Sequence, residues 1–249
     1  MFQFILNLHR RNSLLFWWGC ICFLFACTAL FFILFNQFNF LGILNWVESF
    51  QVSLSAALLS WSLGWIFFHH RSIPLIKWLS WAICLSSFFE NALVFYRSWI
   101  AGSFLVTADY SIIRMRVAIK IIILVTVIIS TWKLYTQKKI KISQHYLTGI
   151  IMGLVLFIFF YSLDTFIWAN YSFFPLVKMA GTGKPTAMWY SYYPNIFFAK
   201  TIGIHSLQII PLLSYFVFST QKQVRYFSIL YFLTVLLLLI LGLLGLHAF

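Results

Sequence analysis

The sequence predicts an all-α polytopic integral membrane protein, a helical bundle of about seven transmembrane helices with the N-terminus inside and the C-terminus outside. Two features of composition predict it: 63% of the 249 residues are hydrophobic and only 8% are charged. The third observation is that apolar runs recur at about the 20-residue length that crosses a bilayer. An ordinary soluble domain carries about 25% charged residues. Seventeen Lys and Arg with four Asp and Glu cannot cover a soluble protein of this size, and the apolar content excludes a disordered chain. A net charge of +13 would suggest nucleic acid in a soluble protein. Here the basic residues lie mostly between apolar runs, where membrane topology accounts for them, and no nucleic-acid partner is expected.

The expected spans are 14–36, 51–69, 73–96, 113–135, 146–170, 197–219 and 227–248, in a single transmembrane domain over 1–249. Arg10 and Arg11 precede the first run, and Leu24-Phe25-Ala26-Cys27 faintly resembles a lipoprotein cleavage box. The run continues to Phe35, too long for a signal h-region, so it reads as an uncleaved helix. In the second span Ala56, Ser60 and Gly64 fall at i, i+4, i+8, a small-residue stripe that lets helices approach closely. Ser53 and Ser55 add hydroxyls for backbone carbonyls. The third span carries Glu90, the fourth Arg114, Arg116 and Lys120, and the fifth Asp164. Residues 171–196 form the longest connection, with Trp189, Tyr190, Tyr192 and Tyr193, and read as an interfacial anchor or a lid before the sixth span. The seventh has no Lys, which argues against a retinal-type pigment.

Orientation follows from the basic residues. With the N-terminus inside, the cytoplasmic side holds Arg10, Arg11, Arg71, Lys77, Lys133, Lys138, Lys139, Lys141, Lys222 and Arg225. Most of the remaining cations lie in or beside helices. Trp46, Tyr96, Trp99, Trp132, Tyr135, Trp168 and Tyr226, near span ends, read as interfacial anchors. Cys20, Cys22, Cys27 and Cys84 have neither CxxC nor metal-ligand spacing and read as buried thiols. No metal is expected.

The ionisable groups are where chemistry could reside. On this topology all four acids, Glu48, Glu90, Asp109 and Asp164, fall in the outer half. A charge at mid-span costs about 2.5–3.5 kcal/mol on insertion scales. The fourth span is therefore marginal, and Arg116 with Lys120, like charges at i, i+4, invites facing anions. Glu90 and Asp164 are the acids at comparable depth. Arg114 and Arg116 could instead snorkel to headgroups.

The sixth span holds Lys200-Thr201-Ile202-Gly203-Ile204-His205-Ser206-Leu207-Gln208-Ile209-Ile210-Pro211. Thr201, His205 and Gln208 share one helical face. Pro211 frees the carbonyl of Leu207 and is expected to kink the helix. His205 can donate, accept, carry a proton or bind a metal. Its structural alternative is a hydrogen bond to Asp164 or Glu90.

Gly203, His205, Gln208 and Pro211 make a G-x-H-x-x-Q-x-x-P pattern that resembles the penultimate helix of a family of uncharacterised bacterial multi-pass membrane proteins. Gln51-Val52-Ser53-Leu54-Ser55 resembles that family's serine-bearing second helix, and Glu90 and Arg97 are loose matches to its glutamate and arginine-glycine stretch. The family's lysines before the serine are replaced here by Glu48 and Gln51. The resemblance covers about a third of the chain and implies a bacterial cytoplasmic (inner) membrane, but no activity.

Three functions fit these residues. The first is binding or transport of a small molecule, ion or lipid through His205, Gln208, Thr201, Glu90, Asp164, Lys120 and Arg116. The second is a membrane enzyme or redox protein that uses His205. A haem would need a second axial ligand at matching depth, and no cofactor or catalytic group is specified. The third is an accessory subunit whose embedded charges pair with other membrane subunits. Gly181-Thr182-Gly183-Lys184-Pro185 lacks the upstream Gly and the Ser/Thr of a phosphate loop, and His69-His70-Arg71 reads as an interfacial basic cluster.

Overall fold

A computed structural model describes residues 8–35, 40–69, 73–100, 110–136, 142–169 and 194–243. Their regular structure is entirely helical: α1 (Ser13–Phe35), α2 (Phe40–Phe67), α3 (Ile73–Ile100), α4 (Tyr110–Thr136), α5 (Gln144–Ala169), α6 (Pro194–Ile204), α7 (Ser206–Phe216) and α8 (Gln221–Leu243). Six stretches among them, in α1–α5 and α8, are long and apolar enough to cross a membrane. The chain is an integral membrane protein of the polytopic helical class. It divides into two compact units, Met1–Thr126 with Trp168–Ala187, and Val127–Ile167 with Met188–Phe249.

Three buried seams build the first unit. On α1 and the turn before it, Leu8, Asn12, Leu15, Gly19, Cys22, Ala26 and Ala29 are all buried. So are Trp46, Ser49, Ser53, Ala56, Ser60, Leu63 and Phe67 on α2, and Ser80, Cys84, Ser87, Asn91, Val94 and Ser98 on α3. Each series alternates steps of three and four residues, the 3.5-residue period of left-handed helix packing. Most members are small, because in lipid the helices gain by close van der Waals approach and interhelical hydrogen bonds. Gly19 lies against the Trp61 indole, whose Nε1 donates to the Phe16 carbonyl at 3.2 Å. A Cβ on Gly64 would lie 3.3 Å from that of Leu15.

Hydrogen bonds stitch these seams. Asn12 caps α1, its Oδ1 accepting from the Leu15 amide at 3.1 Å, while its Nδ2 donates to Ser80 Oγ at 2.8 Å. Ser53 Oγ donates to Asn91 Oδ1 at 2.6 Å, Asn91 Nδ2 donates to the Ser87 carbonyl at 2.8 Å, and Trp18 Nε1 donates to Ser87 Oγ at 2.5 Å. Ser49 and Ser98 share a bond of 2.7 Å.

Glycine seats organise the second unit. Gly149-Ile150-Ile151-Met152-Gly153 on α5 is a GxxxG segment, and α7 rests on it. Gly149 faces Ser214, a Cβ on Gly153 would meet Pro211 Cδ at 2.9 Å, and Ser206 Oγ donates to the Gly153 carbonyl at 3.3 Å. On α6, Gly203 lies against the Phe160 ring. Phe160, Ala199, Val235 and Leu239 join α5, α6 and α8 in an apolar core. A reciprocal capping box starts α8: Thr220 Oγ1 accepts from the Gln223 amide, and Gln223 Oε1 accepts from the Thr220 amide.

Several expectations need correction. The second helix begins at Phe40 instead of residue 51, because Glu48 and Ser49 lower the local hydropathy yet face a protein interior. Trp46 is not an interfacial anchor but is buried, stacked on Phe32 at 4.4 Å. Tyr96, Trp99, Trp132, Tyr135 and Tyr226 are exposed. Cys22 and Cys84 are buried thiols, whereas Cys27 is exposed, since it lies off the α1 seam. The sixth expected span is two 11-residue helices interrupted at His205, not one helix kinked at Pro211. Pro211 instead sits inside α7 on the Gly153 seat, where glycine leaves room for its ring. The connection 171–193, His70, Arg71 and the side chains of Arg97 and Trp168 lie outside the described residues.

Candidate functional site

In the first unit, α2, α3 and α4 bring four charges together. Arg116 Nη1 lies 2.7 Å from Glu48 Oε1, a hydrogen-bonded ion pair. Glu90 Oε1 lies 4.0 Å from Arg116 Nη2 and 3.9 Å from Lys120 Nζ. The topology explains the meeting. Glu48 is near the start of α2, Glu90 nearly three turns from the end of α3, and Arg116 and Lys120 are in the first half of α4, so successive antiparallel passes return them to one level. Arg116 and Lys120, a helical turn apart, present both cations on one face. Arg116 is 3% exposed, while Glu48 and Glu90 remain 17% and 13% exposed. The cations are thus the inner members of the cluster and the carboxylates the outer ones. Arg116 does not snorkel, whereas Arg114 is exposed.

This quartet is neutral, and its pairing is uneven. Glu48 bonds Arg116 Nη1 directly. Glu90 lies within ion-pair distance of two cations, at 4.0 Å from Arg116 Nη2 and 3.9 Å from Lys120 Nζ.

In the second unit, α6 and α7 form one interrupted element. At the interruption His205 has φ −76° and ψ 0°. The His205 amide still donates to the Thr201 carbonyl at 3.2 Å, and the His205 carbonyl accepts from both Gln208 and Ile209 amides at 3.0 Å. The Ile202 carbonyl, next to the interruption, accepts a short bond from the Tyr231 hydroxyl. A carbonyl freed by such a break needs a substitute partner wherever water cannot reach it. His205 Nδ1 lies 3.3 Å from Gln208 Oε1. Thr201, His205 and Gln208 are all half-buried.

Lys200 Nζ lies 2.8 Å from Asp164 Oδ1, and Asp164 is 2% exposed. This pair ties α6 to α5 one turn before the interruption. Glu90, Lys120 and Arg116 therefore meet in one cluster, His205 and Gln208 meet in another place, and Asp164 takes Lys200. Neither Glu48 nor Lys200 was expected as a member. Glu48 could have been found by reading the Trp46, Ser49, Ser53, Ala56 spacing back toward the N-terminus, which extends the helix past it.

Among the described residues no group of three or more His, Cys, Asp or Glu is placed to hold a metal ion. No family model, curated protein or solved structure matches the chain.

Proposed function

We propose that the protein binds or transports a small molecule or ion, with the interruption at His205 as the element that handles it. The observation that carries this reading is a would-be span broken into two half-helices at a histidine, whereas the other long apolar helices among the described residues are continuous. Discontinuous helices place backbone ends and polar side chains at membrane depth, and transporters use them for binding because the freed groups face a ligand instead of lipid. His205, Gln208 and Thr201 supply an imidazole, a carboxamide and a hydroxyl along this segment. An intramembrane ionisable group is a functional candidate by default.

Internal pairing weighs against an accessory subunit whose charges await partner helices, since Arg116, Lys120 and Lys200 each have an acid of this chain within reach. A redox role for His205 lacks a second ligand among the described contacts. The resemblance carried by Gly203, His205, Gln208 and Pro211 supports a bacterial cytoplasmic membrane as the location.

The test is solid-supported-membrane electrophysiology on proteoliposomes, with jumps of amino acids, sugars, carboxylates, nucleosides and inorganic ions. A response in the wild type that is lost in folded His205→Ala supports the reading. No response to any of them, or an unchanged response in the variant, contradicts it.

A further inference from the structure

We propose that the foot of α5 and α8 is a binding surface for an anionic phospholipid. Lys222 and Arg225 take the headgroup, and the apolar face of α8 that follows them takes the acyl chains. This partner is a lipid, independent of any solute handled at His205.

The starts of the two helices are held side by side, with Gln221 Nε2 on α8 donating to Gln144 Oε1 on α5 at 3.4 Å. Both helices therefore present the positive end of the backbone dipole at one place, and neither has an acid in its first turn. The capping box of α8 is made of neutral groups, the Thr220 hydroxyl and the Gln223 carboxamide. Lys222, the second residue of α8, adds a cation where the dipole disfavours one. Arg225, three residues on, lies on the same side of the helix. Both are exposed. The acids among the described residues, Glu48, Glu90 and Asp164, pair with Arg116, Lys120 and Lys200 instead. The charge of this foot is thus complementary to an anion.

The face beyond the cations decides which anion. Tyr226 and Ile229 follow Lys222 and Arg225 by one helical turn, and with Leu230 and Leu233 each is more than half exposed. Two cations continuous with an apolar face complement an amphiphile with a negative head. The guanidinium and ammonium hold the phosphate through charge-assisted bonds, the Tyr226 ring lies at headgroup level, and Ile229, Leu230 and Leu233 lie along the chains. A soluble phosphate would engage only the first part of this surface.

Native mass spectrometry of the purified full-length protein tests it, comparing retention of phosphatidylglycerol and phosphatidylcholine with the same acyl chains. Phosphatidylglycerol should be retained on the order of tenfold more strongly, with the preference falling as ammonium acetate is raised. The double substitution Lys222→Gln with Arg225→Gln should remove most of the preference. Arg114→Gln, which removes an exposed cation of α4, should leave it intact. Glycerol phosphate, the headgroup without its chains, should not displace the lipid at equal concentration. If the double variant does not fold, each single substitution is read in its place, with a smaller loss expected. Equal retention of the two lipids by the wild type, an unchanged preference without Lys222 or Arg225, or an equal loss in Arg114→Gln overturns the proposal. Displacement by glycerol phosphate would overturn the lipid as the occupant.

Discussion

Lys200 Nζ lies 2.8 Å from Asp164 Oδ1, and the two partners are unequally sheltered, with 30% of the lysine side chain exposed against 2% of the aspartate. The pair makes the half-helix α6 a fixed element with a defined end at His205. Removing Lys200 takes the 2.8 Å counter-charge away from a buried carboxylate, while removing Asp164 leaves a lysine that can turn its head outward. Lys200→Gln should therefore cost more than Asp164→Asn. The difference is expected to be about 1–2 kcal/mol, below the roughly 3–5 kcal/mol for fully breaking a buried pair. Thermal unfolding of both single variants and the double variant in one detergent checks it. Equal costs, or no coupling in the cycle, would show that the pair does not hold α6.

The glycine seats give a steric ranking. A Cβ at position 153 would come within 2.9 Å of Pro211 Cδ and 3.0 Å of the Ser206 carbonyl, whereas one at 64 meets its nearest neighbour at 3.3 Å. Gly153→Ala should destabilise by about 1–3 kcal/mol, the usual cost of overpacking, and Gly64→Ala by less. Equal melting temperatures for the two variants would refute the close seating of α7 on α5.

Asn91 joins two helices through Ser53 and closes back on its own helix at Ser87. Asn91→Leu keeps the volume but strands the Ser53 hydroxyl, and the expected loss is about 0.6–1.7 kcal/mol, the range for interhelical bonds in membranes. Ser53→Ala added to that variant should recover part of it. A non-interacting pair would give strictly additive losses.

Topology is open to direct labelling. The cationic stretch Lys133, Lys138, Lys139 and Lys141 predicts a cytoplasmic connection before α5. Ser143 is exposed at the foot of α5. A cysteine introduced there should resist a membrane-impermeant maleimide in intact cells and react after lysis. Labelling in intact cells would invert the orientation.

Helix existence was legible in hydropathy alone, because backbone hydrogen bonding in lipid leaves few alternatives. What hydropathy hid was every polar residue facing protein. Glu48 and Ser49 looked like a loop, although they sit on a buried seam with Trp46 and Ser53. The cation-rich start of α4 was legible as needing acids, and Glu90 was expected there, but Asp164 was an equal candidate because depth does not distinguish neighbours. The 3.5-residue spacing of small residues on α1 and α3 was present in the sequence all along. Finding it needs a search for small and polar periodicity, since in lipid the apolar residues lie on both sides of a helix. The interruption at His205 had a visible marker in Pro211, yet the break falls six residues earlier. Glycines 149 and 153 accommodate the proline, so its position alone does not locate the break.

On the proposed function, the interruption at His205 serves ligand handling and not packing. The measurement that tests it most directly pairs folded yield with solute-evoked current for His205→Ala and His205→Asn in proteoliposomes. Near wild-type yield is expected for both variants with loss of current in both, since neither replacement supplies an imidazole. Reduced yield for alanine, with yield and current both restored by asparagine, would contradict it and assign His205 to structure.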